Sequence, residues 1–175
     1  LAGLALANGL SAFAGAMAPA PAGALFHFAH IAEVNARGGN DPTNQYVEIV
    51  MESSGQNLVA NSVLSAWDCA GNFLGDLLVV PGNVISGDNP RWIMATKNPV
   101  GGIMRDFQIP NAGIPLACGQ VCWGAPGSLP PTDPNSWSRS NLSNFVDCIA
   151  YGPYAGATRV GSGAPCPLTP GAGTY

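Results

Sequence analysis

Charge is scarce in this sequence. Only 9% of its 175 residues are charged, against roughly 25% in an ordinary domain. Its six basic residues are scattered, without a cluster. Nucleic acid is gripped by clustered Lys and Arg that release counterions, so a nucleic-acid partner is excluded. Histidine is scarcer still. His27 and His30 are the only two, and they lie far from any marked Ser or Cys partner. No Gly-x-Ser-x-Gly elbow occurs, so a serine or cysteine hydrolase has no support. No phosphate-cradling glycine loop is present, and no cofactor is expected. No Cys-x-x-Cys pair exists, which argues against tetrahedral zinc. His27 and His30 are three apart and would point to opposite faces of a strand, so they do not share a metal readily. Long helical stretches are also missing: 23 glycines and 16 prolines break the chain into many turns.

What is present is an apolar share of 47%, ample for a folded core in a chain of this length. Five cysteines stand at positions 69, 118, 122, 148 and 166. Without zinc spacing, disulfides are the natural reading, and they place the protein in an oxidising, secreted setting. Cys122 and Cys148 sit in two apolar runs that can pair as neighbouring strands. A bridge between them would staple the long connection 124–143 and contribute about 3 kcal/mol on the chain-entropy model. Cys69, Cys118 and Cys166 stay unassigned: Cys118 can take either of the other two. An odd count leaves one thiol over.

The stretch Gln45 to Val80 organises the rest. Tyr46 to Glu52 alternates, with Val47, Ile49 and Met51 against Tyr46, Glu48 and Glu52. A period of two places alternate side chains on opposite faces of a strand. Val63 to Trp67 and Phe73 to Val80 flank Asp68-Cys69-Ala70-Gly71-Asn72, a turn built on Asp bonding to its own backbone and Gly at positive φ. This reads as a β-hairpin with a longer loop. Further strands are expected at Leu25–Val34, Arg91–Thr96, Gly119–Trp123 and Phe145–Tyr151. Seven or so short strands between turn signals predict an all-β sandwich, with a barrel as the alternative.

Three parts are expected. Residues 1–24 are uncharged and rich in Ala, Leu and Gly. They read as a remnant of a secretory signal peptide, with Ala22-Gly23-Ala24 supplying small residues at a cleavage site. A membrane anchor and a retained apolar segment are the alternatives. Residues 25–152 form the β-domain, and 153–175 a Gly/Pro-rich extension.

The order of the pieces resembles a lamin-tail-type domain, an immunoglobulin-like β-sandwich found also in secreted bacterial proteins. The resemblance runs over about residues 28–152. It is carried by Ile31-Ala32-Glu33-Val34, Tyr46-Val47-Glu48-Ile49, Gln56-Asn57-Leu58-Val59 and Leu64-Ser65-Ala66-Trp67, with Ala66 where the family has Gly. Gln120-Val121-Cys122-Trp123 and Val146 to Gly152 resemble the closing strands of bacterial members. The resemblance implies a non-catalytic module of extracellular or cell-surface proteins, without fixing a ligand.

Several residues are candidates for more than structure. Glu33 and Glu48 are expected to face each other across two strands. Paired carboxylates serve as acid and base when they lie roughly 5–9.5 Å apart in an open cleft. With Asn40, Asp41 and Asn44 nearby they are also weak candidates for a hard-cation site. The plain alternative is that both are solvated or capped strand acids. Trp67, Trp92 and Trp123 lie in strand patterns and are expected in the core. Trp137 and Tyr154 fall in loops and are the candidates for an exposed ligand contact. Asn141-Leu142-Ser143 fits a glycosylation sequon. The resulting expectation is a secreted or cell-surface, non-catalytic structural or interaction module. Its partner would be a protein, a surface polymer or another copy of itself. The alternatives are a carbohydrate- or cation-binding module, and an extracellular filament subunit assembled through residues 1–24.

Overall fold

The computed structural model describes residues 26–37, 41–85, 90–97 and 104–159. The segment 1–24 and Cys166 lie outside them, and so do the leader, anchor and filament expectations that rest on that segment. Eight strands form two four-stranded sheets that pack as a β-sandwich. The strands are β1 (Ala29–Asn35), β2 (Tyr46–Met51), β3 (Val63–Trp67), β4 (Phe73–Val79), β5 (Arg91–Ala95), β6 (Phe107–Gln108), β7 (Gly119–Gly124) and β8 (Asp147–Tyr151). The first sheet runs β1-β2-β5-β6, and the second β4-β3-β7-β8. Every pairing is antiparallel except β5 with β6. The only helix among the described residues is one 3-10 turn, Leu142–Asn144, capped by the Asn141 side chain.

Period-two patterning builds the inner core. On β2, Val47, Ile49 and Met51 are fully buried against the second sheet. Trp92 and Trp123 approach from opposite sheets and meet edge to face at 5.4 Å between ring centroids. The Trp123 Nε1–H donates to Ser62 Oγ at 3.1 Å, and the Tyr151 hydroxyl to the Pro115 carbonyl at 2.6 Å. Gln45, also fully buried, donates from Nε2 to the carbonyls of Ala36 and Ile114 and accepts from the Ile114 N–H. Its amide therefore meets the demands of irregular backbone that no ladder serves.

The sandwich is latched on one side. Asp147 on β8 accepts from the Ile31 N–H of β1 at 2.8 Å, just before a register shift between Ile31 and Glu33. Bulge and carboxylate together blunt an edge that would otherwise offer free N–H groups. On the opposite side, β4 is an edge strand whose pairing with β3 is broken by two register shifts.

The outer face of the second sheet is also covered. Val63, Trp67, Cys122, Cys148 and Ala150 lie beneath Phe145 and Tyr154, with Trp137 and Leu142 packed alongside. This cover comes from the long β7–β8 connection and from the chain after β8, neither of which is strand. The β-domain thus runs on past residue 152: the segment 152–157 crosses the β3–β4 turn, where the Ala155 N–H donates to the Cys69 carbonyl at 2.8 Å. Gly71 accommodates both demands at that crossing. Its φ is +86°, and a Cβ there would stand 2.5 Å from the Gly156 Cα.

Candidate functional site

Two disulfides hold this outer layer, Cys122–Cys148 across directly opposed positions of β7 and β8, and Cys69–Cys118 between the β3–β4 turn and the start of β7. Both are consistent with an oxidising environment. The turn itself is tightened by Asp68, whose carboxylate accepts from the N–H groups of Ala70 and Asn72 and from the Asn72 side chain. Those bonds, the Asn72 side chain first, hold the Asp68 carboxyl below its ordinary pKa.

Between turn, connection and tail lies a groove of about 450 Å³. Trp67 at the end of β3, Phe73 at the start of β4, Leu142 of the 3-10 turn and Tyr154 of the tail give it aromatic and aliphatic walls. Ser138, Arg139 and Ser140 supply the polar side. Trp67 is nearly buried, whereas Phe73 keeps 48% of its surface exposed. The Ser138 and Ser140 hydroxyls lie 2.7 Å apart.

Arg139 positions this wall. Its guanidinium grips both carboxylate oxygens of Asp76 on β4, with Nη2 to Oδ2 at 2.7 Å and Nε to Oδ1 at 3.0 Å. It also donates to the carbonyls of Pro134 and Trp137, and it stacks 3.9 Å above the Trp137 ring. Asp76 in turn accepts from the Ser65 hydroxyl at 2.6 Å. One bidentate ion pair thereby fastens the long connection to the sheet edge.

The residues expected to carry chemistry are placed otherwise. Glu33 and Glu48 do stand opposite each other on β1 and β2. Glu33 accepts from the Tyr46 hydroxyl. Burial, and after it the Glu33 contact, pushes that phenol up to about 12. Glu48 is ion-paired with Arg91, and only 14% of its side chain is exposed. A carboxylate covered and ion-paired in this way lacks the open, solvated setting expected of an acid–base pair. Asp41 pairs with Lys97. That bond, then those from the Thr43 hydroxyl and N–H, lowers Asp41 to about 2. Glu33, Asp41 and Glu48, the weak candidates for a cation site, thus each hold a partner of their own. Arg91 and Lys97 already supply the positive charge, and no group of three potential ligands converges among the described residues.

Trp137 and Tyr154 are not the exposed contacts that their loop positions predict. Trp137 is half-buried, edge to face with Phe145 at 5.1 Å and under Arg139. Tyr154 is 9% exposed, and its hydroxyl donates to the Ala157 carbonyl. Burial, and to a lesser degree the Asp68 charge, raises its pKa. Tyr154 still lines the groove; Trp137 does not. The exposed aromatic of the groove is Phe73, which sequence reasoning treated only as the first residue of a strand. Its signal was present in the pairing of Trp67 and Phe73 across a five-residue turn, where the rings meet at 5.4 Å.

A second, smaller cavity of about 200 Å³ lies between His27, Gly127, Ser143 and Arg159. Burial lowers the His27 pKa and Arg159 adds to that, against the opposing backbone contacts of Gly127 and Ala125. Compared with protein-family models, with curated proteins and with solved structures, the chain matches none.

Proposed function

We propose that this is an extracellular, non-catalytic interaction module of the lamin-tail type. It offers the groove on the outer face of its second sheet to a partner at the cell surface. One observation carries the reading: the Cys69–Cys118 disulfide ties down the β3–β4 turn and the Arg139–Asp76 ion pair ties down the β7–β8 connection, and the groove between them keeps Phe73 half-exposed. Loops on a rigid sheet are where binding surfaces are built. The acids that would argue for catalysis are ion-paired or hydrogen-bonded on the other sheet.

The test has two arms. Exported protein, alkylated without reduction, should carry no label on Cys69, Cys118, Cys122 or Cys148; four labelled thiols would sink the extracellular assignment. A photo-crosslinking phenylalanine at position 73 should capture a partner on the surface of exporting cells, and the same group at Leu116 should not. Equal capture from both positions would remove the groove from the proposal.

A further inference from the structure

We propose that the groove takes a neutral saccharide. This rests on the interaction-module reading and names the ligand for the same surface. At about 450 Å³ the groove falls within the range of pockets that hold small molecules. Its lining is mixed in chemistry. Trp67, Phe73 and Leu142 are apolar, while Ser138 and Ser140 carry hydroxyls that bond each other. A pyranose ring is built the same way, with a face of C–H groups and an edge of hydroxyls that both donate and accept.

Charge decides between ligand classes. Among the described residues Arg139 is the one charged side chain lining the groove, and it is committed to Asp76, with 10% of its side chain exposed. An anionic ligand finds no uncommitted cation there, and a cationic one finds no carboxylate on the lining. An added peptide strand fits less well. It would need an even row of N–H and C=O groups along β4, and two register shifts interrupt that row.

The experiment is calorimetric titration of the disulfide-intact full chain with neutral gluco-, manno-, xylo- and chito-oligosaccharides, repeated with uronic-acid and sulfated oligosaccharides. At least one neutral series should saturate. Phe73→Ala should weaken it about tenfold, as expected for loss of one ring contact, and Ser140→Ala should weaken it less. Phe28→Ala removes an exposed aromatic outside the groove and should bind like the parent. Phe73 is half-exposed, so its replacement leaves the fold intact, to be checked by an unchanged melting curve. The proposal is overturned by no saturation up to about 10 mM, by saturation that Phe73→Ala leaves untouched, or by tighter binding of the acidic sugars. Crosslinking from position 73 to a protein partner, without saccharide binding, would overturn the ligand assignment and leave the module reading standing.

Discussion

The two faces of the second sheet are buried by different means. The inner face meets another sheet, where each strand's backbone is satisfied by its neighbours and side chains interlock. The outer face meets chain without ladders, the β7–β8 connection and the segment after β8. Irregular chain has more backbone to satisfy and fewer regular partners for it. In this molecule Arg139 donates to two carbonyls of the connection and Asp68 accepts two N–H groups of the turn, while two disulfides hold the layer covalently. The inner layer is specified by packing, and the outer layer by covalent and charged fasteners.

The largest expected effect tests the inner layer. Trp123→Ala removes a fully buried ring that touches Trp92 and Phe26, and it strands the Ser62 hydroxyl. Urea denaturation should show a loss of about 5 kcal/mol, the upper end for a buried aromatic. The whole domain should unfold in one transition. Survival of the inner core with loss only of the outer layer would break the comparison.

The disulfides test the outer layer. Replacing both Cys69 and Cys118 by Ala opens a 49-residue separation, and the Cys122/Cys148 pair a 26-residue one. On the chain-entropy model these cost about 4 and about 3.5 kcal/mol. The distinguishing readout is place rather than size. Limited proteolysis should nick the 124–143 connection in either double variant before any site in β2 or β5. Cleavage beginning in the first sheet would show that the fasteners serve the whole sandwich equally.

How much of this was legible from the sequence follows the same division. Strands of the inner layer announce themselves by alternation: Val47, Ile49 and Met51 on β2 are all buried. The hairpin turn and the burial of Trp67, Trp92 and Trp123 were legible for similarly local reasons. Strand β6 was not, because two residues carry no period. The outer layer was hidden for a physical reason. All five residues of β3 are buried, Ser65 among them. That pattern cannot reveal its cover when the cover is a proline-rich loop that itself has no periodicity. Loop aromatics were therefore expected to face solvent, although Trp137 packs on Phe145 beneath Arg139. The partner of Cys69 was open for the same reason, since spacing alone does not say which loop crosses which turn.

Two buried glutamines sharpen the comparison. Gln45 has its amide fully engaged with Ala36 and Ile114. Gln120, between Trp67 and Ala150 in the register of the second sheet, is equally buried, yet neither side-chain polar atom finds a partner. The same substitution should then have opposite signs. Gln45→Met leaves three backbone groups unmet and should cost about 3 kcal/mol, whereas Gln120→Met removes an uncompensated desolvation and should gain about 1 kcal/mol. Equal losses at both positions would mean that the outer layer is as well satisfied as the inner one.

The smallest effect concerns acid, and it separates the loop ends from both layers. Asp41 and Lys97 join the loop before β2 to the chain just after β5, each with about half of its side chain exposed. The bonds from Lys97 and Thr43 hold the Asp41 carboxyl down to about 2, below the ordinary 3.8 of a free carboxylate. The folded state therefore holds the charged form more firmly than the unfolded chain does. The stabilisation is fully present above the unfolded value and is lost as pH falls from there through about 2. Asp41→Asn removes that dependence, so its stability should fall less steeply than the parent's over this window. At neutral pH the two should nearly coincide, because an exposed pair is screened and contributes little. Stability curves at stepped pH, with hydrogen exchange at the lowest step, would show where opening begins. If the parent and Asp41→Asn lose stability in parallel, acid acts through the layers and not through this latch.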